Sequence, residues 1–318
     1  NTIQDNIRDK MKVAFFSEIG NNQKYPRNFP NARTEVAWCL TLEAPMCSLN
    51  PSQKERIDND FDLGIVIIPK NNPEQIDWEW IRSKCKKVAV MQEGPHWYFQ
   101  DYTIDKQFHY YNCLVDVDIV YCHNESDVNY YLGLGCKDVR VMRSLMIPAG
   151  IPSRSEWGDA TMIGGNFVSW YGGFDSYMVA REIGDPISAP SMGRKQDQED
   201  LIEDVNYLPY MNWREWIHCL SQYNIGVHLM RTHAAGTFAM NCGFHGIPCI
   251  GYKGLDTQEL IHPLTTVEVG DLDEAKRIGR KLKESKKFYD LCSDTIRKRF
   301  NRYYTEKAWR ANWEATNK

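Results

Sequence analysis

Short apolar runs alternate with amphipathic segments along the first half of the chain. The runs are four to seven residues long and rich in β-branched side chains, and they occupy residues 12–17, 62–68, 87–91, 117–121 and 139–142. Such runs are typical of buried parallel strands. The intervening residues 34–42 and 126–132 have a helical pattern. This alternation predicts an α/β sheet built from βαβ units.

The alternation begins again after residues 148–161, which carry two prolines, two glycines and no periodicity. We interpret this stretch as a linker. Strands are predicted beyond it at residues 161–163, 186–189, 205–208, 225–230, 248–250 and 266–269. Helices are predicted at residues 213–222, 237–245 and 272–283 and along a long tail at 286–314. The pattern therefore predicts two successive α/β domains.

Length and composition are those of a globular protein. The 318 residues fit two domains, and the apolar and charged fractions, 42% and 25%, are near average. No apolar run approaches the ~20 residues that a transmembrane helix needs. A net charge of −4 does not favour a nucleic-acid partner. Ten cysteines without a C-x-x-C pair predict free thiols and a cytoplasmic location.

Several common catalytic signatures are absent from the sequence. There is no G-x-G-x-x-G after a strand, no P-loop and no G-x-S-x-G, which argues against dinucleotide oxidoreductases, P-loop NTPases and α/β-hydrolases. Asp116 and Asp118 form a D-x-D, but it runs directly into an apolar strand. His228 and His233 lack a third ligand nearby. We therefore predict no metal site and no cofactor.

The most informative segment is residues 224–251. It predicts a buried strand, a loop of small residues, a helix that begins near Gly236 and Thr237, and Gly246 as the residue that ends the helix. Backbone N–H groups at the start of this helix would bind an anion such as a diphosphate. An ordinary α/β crossover gives the same pattern, so both interpretations stay open.

This segment resembles the C-terminal domain of GT-B glycosyltransferases, in which two glutamates eight residues apart precede C-G-x-P-V-I. Aligning residues 246–250 with that ending places His233 at the first glutamate and Asn241 at the second. The resemblance implies that Asn241 holds the donor ribose and that His233 lies near the sugar. It also implies two Rossmann-like domains facing a cleft, and transfer of a sugar from a nucleotide-sugar donor to a glycan or other hydroxyl acceptor without metal.

Neighbouring segments extend the resemblance to GT-B enzymes. Residues 205–210 resemble the strand that reaches the nucleobase, which implies a donor contact for Tyr210, and residues 162–173 resemble the first strand and loop, which contain Ser169. Arg231 and Arg194 would neutralise the diphosphate. Residues 303–313 resemble a helix that crosses back onto the first domain. The implied division is an acceptor domain at 11–150, a donor domain at 160–300 and a crossing helix at 301–318.

Glu93 and His96 follow the buried run 87–91, and ligands bind at such strand ends in open α/β sheets. In bacteriophage DNA glucosyltransferases of this fold, an Asp at the similar position is the general base. Glu93 resembles a substitute for it, with His96 and His233 as further catalytic candidates. A loop-capping or other binding role for Glu93 stays open. Arg33 and Thr34 either face the acceptor or begin an ordinary helix.

Two other functions fit the same residues. A sugar-nucleotide epimerase or hydrolase of this fold would act on the nucleotide sugar without an acceptor. The replacement of both glutamates also fits a degenerate protein that binds a nucleotide or glycan without turnover. Among acceptors, nucleic acid is compatible with a local groove but is not favoured.

Overall fold

A computed structural model of the chain describes residues 10–49, 57, 60–191 and 197–318. Two sheets, one from each half of the chain, carry helices on both faces. The prediction of an α/β fold with two Rossmann-like domains is confirmed.

The first sheet has seven strands in the order β2-β3-β1-β4-β5-β6-β7. They are β1 (Val13–Ser17), β2 (Gln23–Lys24), β3 (Pro45–Ser48), β4 (Phe61–Val66), β5 (Cys85–Met91), β6 (Ile119–Cys122) and β7 (Val139–Val141). All neighbours are parallel except β2 and β3. In register, Val13 lies beside Leu63 and Ala89 beside Ile119.

The second sheet has six parallel strands in the order β10-β9-β8-β11-β12-β13. They are β8 (Thr161–Ile163), β9 (Ile187–Ala189), β10 (Val205–Tyr207), β11 (Ile225–His228), β12 (Cys249–Tyr252) and β13 (Thr266–Val267). The chain reverses its direction of winding between β8 and β11. The carboxyl ends of two such strands form a crevice in which α/β proteins bind ligands.

Eleven helices of the described residues pack against these sheets. They are α1 (Thr34–Leu42), α2 (Trp78–Lys84), α3 (Ile104–Asp116), α4 (Val128–Leu134), α5 (Gly173–Ile183), α6 (Trp213–Leu220), α7 (Thr237–His245), α8 (Asp256–Ile261), α9 (Leu272–Glu284), α10 (Lys286–Tyr303) and α11 (Glu306–Thr316). In the part of the chain that the structure describes, no helix is both long and apolar enough to span a bilayer.

The helical tail predicted for residues 286–314 consists of two helices, because the chain breaks between α10 and α11. Met146 donates its backbone N–H to the Tyr304 carbonyl at 3.0 Å, and Thr305 Oγ1 caps α11 by accepting from the Ala308 N–H at 3.2 Å. These bonds turn the chain so that α11 lies on the first domain. Trp309 packs there against Trp38, with ring centroids 5.2 Å apart.

The strands are continuous apolar runs in the sequence because the sheet is covered on both faces. All five residues of β1 are buried. Val13 and Phe15 join one apolar cluster, and Ala14 and Phe16 join a second cluster on the opposite face of the sheet. Because successive side chains alternate between faces, a strand covered on both sides needs an apolar residue at every position. All ten cysteines are free thiols, and nine are buried.

Candidate functional site

A cavity of about 540 Å³ lies between the carboxyl edges of the two sheets. The first domain contributes Thr34, Glu35, Lys70 and Glu93, and the second contributes Gly164, His228 and residues 234–238. Gly164 follows β8 and His228 ends β11, so the cavity opens at the crevice between these strands. A cavity of this size accommodates a drug-sized molecule.

A smaller pocket of about 170 Å³ adjoins the cavity, since Gly164, Thr237 and Phe238 line both. Tyr210 and Trp216 also line this pocket. Further lining residues are Arg33, Trp213 and Asn241. Aromatic walls with polar tips suit a flat heterocycle.

Helix α7 begins at the cavity. Its N-cap residue, Gly236, has φ 68°, and a Cβ atom there would collide with Thr257 Oγ1, so the position requires glycine. No side chain caps this helix start. The first N–H groups of an α-helix have no partner within the helix, and together with the helix dipole they favour an anion. Gly236 and Thr237 therefore lie where the sequence predicts a diphosphate.

Glu93 faces the same cavity from the end of β5. Its side chain is 36% exposed, and Lys70 Nζ lies 3.3 Å from Oε1. Burial raises the pKa of the Glu93 carboxyl above its ordinary value; Lys70 acts in the opposite direction and Glu35 adds to the increase. A carboxylate with a raised pKa is suited to accept a proton.

The two predicted histidines meet outside the cavity, at Asp127. His96 Nδ1 lies 3.0 Å from Asp127 Oδ1, and His233 Nδ1 lies 3.7 Å from the same oxygen. His233 also contacts Ser126 Oγ at 3.1 Å, and a Cβ atom at Gly254 would collide with its Nε2. The structure thus places His233 in the contact between the domains and His96 beside it on Asp127, and neither imidazole lines the cavity.

Asp127 is fully buried among hydrogen-bond donors. Gln92 Nε2 and Asn124 Nδ2 lie 3.1 and 3.3 Å from Oδ2. Burial alone would raise the pKa of Asp127, but the bonds from His233, His96, Gln92 and Asn124 together hold it well below its ordinary value. Asp127 is therefore a fixed negative charge at neutral pH. Sequence reasoning missed it, because its partners are scattered along the chain.

The other predicted donor residues are distributed around the site. Tyr210 is exposed at the smaller pocket, and Ser169 is exposed next to Trp170 and Tyr171, which line the cavity. Arg231 is exposed and pairs with Asp175 at 3.3 Å. Arg194 lies outside the described residues.

Asn241 is fully buried on α7. Its Oδ1 accepts from Trp216 Nε1 at 2.9 Å, and its Nδ2 lies 3.3 Å from Met146 Sδ. Both ends of the amide therefore already have protein partners. A ribose contact by Asn241 stays a prediction and would require these contacts to rearrange.

Lys70, Glu35 and His228 line the cavity although sequence reasoning did not place them there. Lys70 carried a usable signal, since it follows the apolar run at 62–68 much as Glu93 follows the run at 87–91. From the sequence, His228 is a candidate only for metal binding. Among the residues that the structure describes, no group of three or more His, Cys, Asp or Glu side chains is placed to hold a metal ion.

The architecture is shared with solved glycosyltransferase structures. HepE from Anabaena, in complex with UDP-glucose, has a TM-score of 0.67 and 10% identity, over 96% of this chain and 99% of HepE. Sucrose-phosphate synthase from Thermosynechococcus elongatus has a TM-score of 0.62 and 11% identity, over 80% of this chain and 72% of the synthase. TarM of S. aureus, in a complex that includes UDP, has a TM-score of 0.63 and 10% identity over 80% of this chain, which spans 55% of TarM.

These similarities establish that the chain has the GT-B fold of nucleotide-sugar glycosyltransferases. No family model and no curated protein sequence matches it.

Proposed function

We propose that the protein is a glycosyltransferase that moves a sugar from a nucleotide-sugar donor to a hydroxyl group of a glycan or other acceptor. One observation carries the proposal: a single cavity has the start of α7 on one wall and Glu93 on the other. The first suits the leaving diphosphate and the second suits the attacking hydroxyl. The free cysteines favour the cytoplasm as the compartment in which it acts.

The donor would lie mainly on the second domain. Its diphosphate would meet the N–H groups at residues 235–237, and its base would enter the smaller pocket beside Tyr210 and Trp216. Uridine is the first base to test, because HepE and TarM were solved with UDP or UDP-glucose. Arg231 would contribute from the rim.

The proposed chemistry is a single displacement. The Glu93 carboxylate takes the proton from the acceptor hydroxyl, whose oxygen attacks the anomeric carbon while the bond from that carbon to the diphosphate oxygen breaks. The nucleoside diphosphate leaves with the electron pair, and the anomeric configuration inverts. Partial positive charge at the start of α7 would stabilise the leaving group without a metal ion. Thr34 lines the cavity near Glu35 and would border the acceptor, whereas Arg33 lines the smaller pocket and would lie beside the base.

Turnover of UDP-, GDP-, ADP-, CMP- and TDP-sugars, measured as nucleotide release with and without a panel of hydroxyl acceptors, tests the proposal. We expect release from one donor class only when an acceptor is present, with the same rate in EDTA. Release without any acceptor would support the hydrolase alternative, and conversion of the sugar without net release of nucleotide would support the epimerase alternative. Binding of a nucleotide without release from any sugar would support the degenerate alternative, and EDTA inhibition reversed by Mg²⁺ or Mn²⁺ would contradict metal independence.

A further inference from the structure

Side chains of the first domain hold the loop that precedes α7. Asn124 Nδ2 donates to the Ala234 carbonyl at 2.9 Å, and Ser144 Oγ donates to the Ala235 carbonyl at 2.8 Å. Asn124 and Ser144 are only 2% and 3% exposed. The Asn124 amide is also fixed at its other end, since its Oδ1 accepts from the Asp256 N–H at 2.9 Å.

Two successive carbonyl groups of the loop therefore point at the first domain. In a trans peptide the N–H group points opposite to the carbonyl, so the N–H groups of Ala235 and Gly236 point away from Asn124 and Ser144. Neither N–H finds a hydrogen-bond partner within the described part of the chain. Ala235 and Gly236 line the cavity.

His228 is an independent sign of a ligand on this wall. The side chain lines the cavity and is 7% exposed, and neither ring nitrogen has a partner among the described residues. Burial lowers the pKa of His228 to about 4, so the ring is neutral at pH 7 and offers one N–H donor. An unpaired buried donor is costly, and a phosphate oxygen would satisfy it.

We infer that Asn124 and Ser144 are positioning residues for the diphosphate: by holding the Ala234 and Ala235 carbonyls, they aim the N–H groups of Ala235 and Gly236 at a phosphate group of the ligand. The inference rests on the proposed function. The first domain thereby shapes the donor site of the second domain from behind the loop. Loss of either bond frees the peptide to rotate, so it weakens recognition of phosphate and leaves recognition of the nucleoside intact.

Calorimetric titrations with UDP, inorganic pyrophosphate and uridine test this selectivity. Ser144→Ala removes one hydroxyl and should weaken UDP and pyrophosphate binding by about 3- to 10-fold, with uridine binding unchanged. Ser144→Thr keeps the hydroxyl and should restore binding. Asn124→Ala should reproduce the Ser144→Ala result. Ser153→Ala is the matched control, since Ser153 Oγ donates to the Phe244 carbonyl at 2.8 Å, near the far end of α7.

The outcomes distinguish failure of the positioning role from failure of the proposed nucleotide site. Wild-type protein that binds UDP and pyrophosphate, with Ser144→Ala and Asn124→Ala variants that bind them equally well, would overturn the positioning role alone. An equal loss for uridine and UDP would identify a general structural effect and would also overturn it. Wild-type protein that binds none of the three probes would overturn the positioning role together with the uridine-nucleotide site on which it rests.

Discussion

Glu93 and Asp127 are carboxylates of the first domain whose surroundings act on them in opposite ways. Glu93 has Lys70 at 3.3 Å but few donors, and burial raises its pKa. Asp127 is fully buried, yet hydrogen bonds from four side chains keep its pKa low. A carboxyl of the first kind can take up a proton during a reaction, whereas one of the second kind remains charged and holds its neighbours in place.

Glu93→Gln should therefore lower the rate of sugar transfer by about 10²–10⁴-fold, since an amide cannot accept the acceptor proton. The melting temperature should hardly change, because a partly exposed ion pair contributes little to stability. Turnover and melting temperature are to be measured on the same preparation. Glu182→Gln is the control, because Glu182 is 39% exposed and pairs with Arg280 away from the cavity. A fully active Glu93→Gln protein would remove Glu93 from the mechanism.

Asn241→Ala should affect stability more than nucleotide affinity. The substitution leaves Trp216 Nε1 without its acceptor at 2.9 Å, which costs about 1–3 kcal/mol of unfolding free energy. Urea denaturation and calorimetry with UDP measure the two effects. If affinity instead falls about tenfold while stability is unchanged, Asn241 holds the ribose as the family resemblance implies.

Among the secondary-structure elements, helices α7 and α11 matter most: α7 begins at the cavity, and α11 joins the second half of the chain to the first domain. Helix α7 was predicted with its observed bounds, Thr237–His245, because glycines flank the segment in the sequence; both glycines have positive φ in the structure. Helix α11 lies on the first domain through stacked Trp309 and Trp313, whose centroids are 5.4 Å apart, and Trp309 Nε1 donates to the Arg143 carbonyl at 2.8 Å. The second half of the chain is thus anchored on the first.

Trp309→Ala should lower the unfolding free energy by about 3–5 kcal/mol, the usual cost of emptying a large aromatic site in a core. Trp309 is 1% exposed and packs against Trp38. Trp157→Ala provides the control, because Trp157 is 48% exposed and should cost much less. Equal effects of the two substitutions in urea denaturation would contradict the anchoring role of α11.

The sequence pattern does not predict strands β2 and β3 or helix α3, and the structure shows why. Strand β2 has two exposed residues and β3 begins at a proline, so neither produces an apolar run. Helix α3 exposes the apolar Ile104 and Phe108 and buries fully only Cys113 and Leu114, so its apolar pattern does not match its buried face. The position of Glu93 was predictable because a strand end is local in sequence. The contacts of His233 were not, because they depend on how the loops of the two domains meet.

At the scale of the whole molecule, the two sheets face each other by their carboxyl edges and are held by polar contacts. Arg143 Nε lies 2.8 Å from Asp256 Oδ2, and Asn124 bonds to the Ala234 carbonyl. These contacts form only when the two domains are in this relative position. Residues of both domains line the cavity, so conditions that disturb folding of either half also disturb the site.

Acidification should destabilise the fold between pH 6.5 and about 4. Burial lowers the pKa values of His228, His245 and His262 from 6.5 to about 4, so the unfolded chain binds more protons in that window. The unfolding free energy is then highest above pH 6.5. As the pH decreases through the window, each histidine lowers it by about 1.4 kcal/mol per pH unit. Urea denaturation at pH 7, 6 and 5 measures the slope.

His262 allows a matched test of this slope. Its Nδ1 accepts from the Cys249 N–H at 3.2 Å and its Nε2 donates to the Ala239 carbonyl at 2.8 Å, so a second ring proton would face a donor. His262→Gln should reduce the slope, whereas substitution of the exposed His109 should leave it unchanged. An unfolding free energy that is constant from pH 7 to 5 would contradict the prediction.

A crystal structure with a bound nucleoside diphosphate, beginning with UDP, tests the central claim most directly. We predict diphosphate oxygens within about 3.2 Å of the backbone nitrogens of Ala235, Gly236 and Thr237, with the base in the pocket beside Tyr210. The molecule has another groove of about 500 Å³, lined by Trp157 and His218. A nucleotide bound in that groove, with the cavity between the sheets empty, would contradict the proposed donor site.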